Sequence, residues 1–253
     1  PIPSPSSHPS LTHPSPIPPE PRFSKGFSSM VLVVLIAHVG MSLPSLPSGK
    51  SLRLFVPGYG GGYGTGGNLW PAASALCTYL SRGQSSLEGL AVCELGSGTG
   101  AVGLYAAALG AHTVCLSDIS PALCQTISDN AAANRALFAA NATVVSRTYT
   151  WGRPTSQLGG PFDLVLGSDV TYRHGMHRSL CKSVAELLSG GKSCHALLAH
   201  QHRPIAELLN GVDTLSLLGE AAATAGLEIR TVHSEQTLLP LSRISLLEAR
   251  LIP

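Results

Sequence analysis

Leu90-Ala91-Val92-Cys93-Glu94-Leu95-Gly96-Ser97-Gly98-Thr99-Gly100-Ala101 is the stretch whose reading decides the fold. Its first half is apolar apart from one acid and reads as a buried strand. Three alternate glycines follow, which let the backbone turn sharply and come close to a ligand at the N-terminus of the next helix. Asp118 closes the next apolar run, about 20 residues further on, where a carboxylate can accept both hydroxyls of an adenosine ribose. An ordinary tight turn and a helix-capping Asp are the bland alternative for this pair.

The same rhythm extends in both directions. Candidate strands are Leu90 to Leu95, Thr113 to Asp118, Thr143 to Arg147, Phe162 to Gly167, Ala196 to His200, Leu227 to Val232 and Ser245 to Leu251. Helices are expected over Pro71 to Ser81, Gly100 to Leu109, Pro121 to Asn134, Met176 to Leu188 and Leu215 to Ala225, with Pro71 and Pro121 where a first turn tolerates proline. Between the last two strands, Ser234 to Leu241 offers no helix, so the link suits an antiparallel hairpin. The expectation is an α/β fold: a doubly wound, mostly parallel seven-stranded sheet with an antiparallel final hairpin, Rossmann-like in plan.

Length and charge fit one such unit. The 253 residues suffice for one α/β domain and a tail. A charged fraction of 12% suits a sheet buried on both faces. A net charge of +2 gives no strong field, so nucleic acid is not the expected partner. The six cysteines form no CxxC pair and mostly sit in apolar runs, as reduced thiols of a cytoplasmic protein would.

We read residues 1–50 as a separate Pro/Ser-rich segment, disordered or targeting, with a short apolar run, and residues 51–253 as the α/β domain that carries the glycine turn. The apolar run Met30 to Val39 is shorter than the ~20 residues that span a bilayer, so stable membrane insertion is not expected. It reads as an edge strand, with a secretory apolar core as the competing reading.

The cofactor requires more than the glycine turn, because Gly96-x-Gly98-x-x-Ala101 also satisfies the relaxed dinucleotide fingerprint. Glu94 discriminates. An acid there can face the cationic amino-acid end of S-adenosylmethionine, whereas it would repel a pyrophosphate. The final hairpin points the same way.

Gly64-Thr65-Gly66-Gly67-Asn68-Leu69-Trp70-Pro71-Ala72-Ala73, the turn at 94–100, Asp118, Trp151-Gly152 and Phe162-Asp163-Leu164-Val165-Leu166-Gly167-Ser168-Asp169-Val170-Thr171-Tyr172 together resemble methyltransferase family 16. These are seven-β-strand class I protein-lysine methyltransferases, the methyltransferase-like 21 type among them. The resemblance spans about residues 60–253, and Asp169-x-x-Tyr172 is its most specific element. It implies that Gly96, Ser97 and Gly98, with Gly100 in the same turn, contact the methionine end of S-adenosylmethionine and that Asp118 holds the ribose. It further implies that Trp151 and Ser168 flank the adenine, that Trp70 closes over the cofactor, and that Asp169 and Tyr172 shape the acceptor channel. Thr150 stands where relatives often have Asp, and no clear N-terminal hairpin precedes residue 58.

The implied activity is methylation of a lysine in a protein substrate by a monomeric enzyme. A methyltransferase of small molecules or RNA is the alternative, and a nicotinamide-dependent oxidoreductase stands behind it. Trp70 and Trp151 also read as core aromatics. Gly58 to Gly67 lacks the Gly-Lys-Ser/Thr ending of a phosphate loop and reads as an active-site lid. His195, His200 and His202 lack a neighbouring Cys or carboxylate cluster, so no metal is expected.

Overall fold

The computed structural model describes residues 42–60, 62–83, 86–191, 194–237 and 242–252. The apolar run Met30 to Val39 lies outside them. Seven strands form one sheet: β1 (Ala91–Leu95), β2 (Thr113–Asp118), β3 (Thr143–Thr148), β4 (Leu164–Ser168), β5 (His195–Gln201), β6 (Leu227–Gln236) and β7 (Arg243–Leu251). Their order is β3-β2-β1-β4-β5-β7-β6. The pairs among β1 to β5 are parallel, and β7 runs antiparallel to both β5 and β6. This is the expected sheet, with β6 reaching four residues beyond the expected Val232 and bulged between Thr231 and His233.

Six α-helices occur among the described residues, one before the first strand and five between strands: α1 (Pro71–Ser81), α2 (Ala101–Ala108), α3 (Pro121–Ala133), α4 (His177–Ser189), α5 (Pro204–Asn210) and α6 (Thr214–Thr224). Proline opens α1 and α3, and Ser120 caps α3 by accepting the Leu123 N–H. The α5 helix was not expected from sequence.

Side-chain alternation divides the core into two layers. Val92, Val114, Leu116, Leu164, Leu166 and Leu197 face one layer, with α1, α2 and Ile127 of α3. Cys93, Leu95, Cys115, Val165, Leu198 and Leu247 face the other, with α4 and α6. Both faces of the parallel strands are therefore covered, which explains their near-continuous apolar sequence.

Residues 42–50 pack on the first layer. Leu46 is buried in it and Tyr105 donates from Oη to the Ser45 carbonyl at 3.1 Å. The following chain is fastened to α3, where Asn130 and Asn134 accept the N–H groups of Phe55 and Arg53, each at 2.8 Å. No helix among the described residues is long and apolar enough to cross a membrane.

Candidate active site at the carboxyl edge of the sheet

The strand order reverses between β1 and β4, and the loops after these strands meet at the carboxyl edge, where ligands of open α/β sheets bind. The turn from β1 into α2 is tied to β2. Ser97 donates its N–H to the Ser117 carbonyl at 2.8 Å, while its hydroxyl accepts the Ser117 N–H and donates to the Glu94 carbonyl. The Ser97 side chain thus joins two strands. Gly100, at φ 82°, caps α2.

Asp118 closes β2 beside this turn. Its Oδ2 accepts the Gly98 N–H and its Oδ1 the Ser120 N–H, each at 3.0 Å. Each carboxylate oxygen has a further lone pair, so both retain capacity for an outside donor. Burial pushes the Asp118 carboxyl up, while the N–H groups of Ser120, Gly98 and Ile119 draw it back.

Glu94 is fully buried. Its Oε2 accepts the Gly103 N–H in the first turn of α2 at 2.9 Å, while Oε1 has no hydrogen-bond partner among the described residues. Burial raises its pKa to about 8, against the lowering effect of Gly103 and Ser97. A buried carboxyl with one free oxygen fits a cationic ligand group, which would return it to the ionised form.

The Gly58 to Gly67 segment closes onto the turn through residues 64–67, a 3-10 turn. A Cβ on Gly98, where φ is +54°, would stand 2.7 Å from the Gly66 carbonyl oxygen. Only glycine permits this approach. Trp70 follows the segment, donating from Nε1 to the Thr65 carbonyl at 3.0 Å and meeting Tyr59 edge-on. Half-buried Trp151, just past β3, lies on the other side of the turn: a Cβ on Gly96 would come 3.0 Å from its ring. Ser168 ends β4 opposite Ala199.

Asp169 follows at φ 54°, a left-handed conformation that Asp adopts more readily than most residues and that strained sites retain. It is 6% exposed. Both oxygens accept from Arg203, Nη1 to Oδ1 at 2.9 Å and Nη2 to Oδ2 at 2.5 Å. Burial pushes the Asp169 carboxyl up and the guanidinium pulls it back. The guanidinium also lies 6.0 Å from the Trp70 ring centroid and 5.9 Å from that of Tyr172. Tyr172 is 3.2 Å from the Thr65 hydroxyl through Oη. Sequence reasoning missed Arg203. Its only local signal is a lone cation at the end of a buried strand.

His200 and His202 do share a side, with rings 4.7 Å apart, but each is bonded elsewhere: His200 Nδ1 is 2.7 Å from the Thr171 hydroxyl and His202 Nε2 is 2.8 Å from that of Ser245. Burial lowers the His200 pKa to about 3, keeping the ring neutral. No cluster of three metal-ligating side chains occurs among the described residues. All six cysteines are free thiols.

Comparison with known proteins gives a consistent picture. Protein N-lysine methyltransferase METTL21A of Danio rerio is 36% identical over 145 residues, 55% of this chain and 65% of that protein. EEF1A lysine methyltransferase 3 of Xenopus tropicalis is 34% identical over 139 residues, 55% of this chain and 59% of that protein. The chain thus spans less than two thirds of either relative. Among solved structures, YcgJ of Bacillus subtilis superposes with a TM-score of 0.52 at 13% identity, over 71% of this chain and 98% of that one, a likeness of fold alone. A family model described as lysine methyltransferase matches residues 50–209, well over half of the sequence, and the chain belongs to that family.

Proposed function

We propose that this protein transfers the methyl group of S-adenosylmethionine to a lysine side chain of another protein. The observation that carries the reading is the meeting, at one sheet edge, of two sets of groups. Glu94, Gly98 and Asp118 form a turn with unused acceptor capacity, and Asp169 and Tyr172 stand across it on the loop after β4. The family and the names of its relatives supply the substrate class.

In this reading Glu94 Oε1 faces the α-ammonium of the donor, Asp118 accepts from the ribose hydroxyls, and Trp151 and Ser168 border the adenine. Trp70 and the 64–67 turn exclude water from above. The bound donor supplies a methyl carbon on a sulfonium, an electrophile that needs no metal. The protein's task is alignment of the amine with that carbon. A lysine must also lose its proton, at a cost of roughly 4 kcal/mol near pH 7.4 from a reference pKa of about 10.4. The proton passes to solvent, and the freed lone pair forms the N–C bond as the C–S pair returns to sulfur. The near-neutral net charge favours a protein acceptor over RNA, and the free thiols suit a reducing, cytoplasmic setting.

The test is calorimetry with S-adenosylmethionine and with NADH, followed by incubation with methyl-labelled donor and a cell lysate and amino-acid analysis of the labelled species. Donor binding and label on lysine are expected. Binding of NADH alone, or label confined to RNA, metabolites or arginine, would overturn the assignment.

A further inference from the structure

A carboxylate flanked by aromatic faces is the chemistry that recognises an alkylammonium or guanidinium ion. Asp169, Trp70 and Tyr172 have that arrangement, and Thr65 joins the two rings by bonding to both. The cation inside is the chain's own. Arg203 takes both oxygens of Asp169 and lies near both rings. Its side chain is 25% exposed and that of Asp169 only 4%, so removing the guanidinium would strand a buried carboxylate.

We propose that Asp169, Trp70 and Tyr172 form a cation cage that Arg203 fills permanently, making Arg203 a positioning residue that bars an acceptor ammonium from Asp169, so that the acceptor enters as a neutral amine. The existence of the cage stands on geometry alone; its effect on the acceptor rests on the methyl-transfer reading above. A free Asp169 carboxylate would stabilise the ammonium and oppose its deprotonation, and pairing with Arg203 removes that opposition. The other groups facing the guanidinium are Tyr59 from the 58–67 segment, neutral His200 from β5, and Glu207 on the helix that Arg203 leads into. Glu207, in the first turn of α5, is the only further carboxylate among them.

Two measurements test this. First, wild type, Arg203→Ala and Asp169→Asn/Arg203→Gln are titrated with ethylguanidinium or n-butylammonium up to about 20 mM, read by melting temperature and, in a Trp151→Phe background, by Trp70 fluorescence. Arg203→Ala is expected to bind at least one of these cations at least 10-fold more tightly than wild type, and the neutral double variant to gain nothing. If Arg203→Ala folds poorly, recovery of its melting transition by the added cation is the readout. Equal responses in all three proteins, or none in any, overturn the cage. Second, label transfer to lysine in a lysate is followed from pH 6.5 to 9.5. The acid limb of Arg203→Ala, assayed without added cation, should move up by at least 1 pH unit, while that of Asp169→Asn/Arg203→Gln stays near the wild-type position. Coincident limbs for wild type and Arg203→Ala overturn the neutral-amine role. No lysine label from wild type at any pH overturns the methyl-transfer reading instead, and the cation titration still decides the cage.

Discussion

Glu94 and Gly103 are joined by one hydrogen bond, from the Gly103 N–H to Oε2 at 2.9 Å, and this leaves Oε1 of a fully buried carboxyl without a partner among the described residues. With a pKa of about 8 the group is protonated at pH 7. If it meets the donor's ammonium it ionises. Binding of S-adenosylmethionine at pH 7 is therefore expected to release close to one proton, measured as the dependence of calorimetric enthalpy on buffer ionisation heat. Glu94→Gln should abolish the release and weaken binding by about 1–3 kcal/mol. Proton uptake, or release unchanged in the variant, would remove Glu94 from the site.

The same group sets a pH dependence of stability. Its folded pKa of about 8 lies above the ordinary value of 4.5, so the folded state holds the extra proton between those limits. This contribution is fully present below about pH 4.5 and is lost as pH rises towards 8. Glu94→Gln keeps the acceptor for Gly103 and has no proton to lose. Melting curves without donor should show the variant gaining on wild type from pH 5 to pH 8.5, by about 2–4 °C, the equivalent of about 1 kcal/mol.

Gly98 and Gly66 should respond differently to alanine. On Gly98 the new Cβ meets the Gly66 carbonyl at 2.7 Å with φ at +54°, and backbone has no easy way to yield. On Gly66 it meets Leu123 Cδ1 at 2.5 Å, the movable end of a side chain. We expect Gly98→Ala to cost about 1–3 kcal/mol in stability and most of the donor affinity, and Gly66→Ala clearly less. Denaturant melts and calorimetry on both variants check the order.

Asp118 and Ser97 separate ligand contact from scaffolding. Asp118→Ala should weaken donor binding by about 1.5–3 kcal/mol through lost charged hydrogen bonds. The Ser97 hydroxyl is spent on bonds between β1 and β2. Ser97→Ala should accordingly lower stability by about 1 kcal/mol yet leave affinity within roughly threefold, as titration calorimetry would show. An equal loss of affinity in both variants would contradict this division.

Asp169 should govern transfer rather than donor binding. Asp169→Ala is expected to keep most donor affinity and to lose at least about 10-fold in turnover, a barrier increase of at least ~1.4 kcal/mol. It also strands the Arg203 guanidinium, which is a quarter exposed, so a stability loss of about 1–3 kcal/mol, below that for a fully buried pair, should accompany it. Labelling rates normalised to the folded fraction separate the two effects.

The sequence by itself determined the elements whose information is local. Short apolar runs mark all seven strands, the lack of a helical sequence pattern over Ser234 to Leu241 marks the antiparallel hairpin, and Gly96, Gly98 and Gly100 with Asp118 mark the ligand edge. Helix α5 escaped, since seven residues carry too little periodicity and Ile205, Leu208 and Leu209 face outward. Only the tertiary structure decided which side chains use one another. Arg203 reaches Asp169 across 34 residues because β5 lies beside β4 and both strands end at the same edge. Gly66 meets Gly98 because the segment before α1 folds back over the β1 turn. Glu94 spends one oxygen on the helix that follows its strand and leaves the other without a partner among the described residues, because β1 is central and covered on both faces. Such partnerships depend on strand order and burial, which no local pattern encodes, and they determine which groups remain available for a ligand.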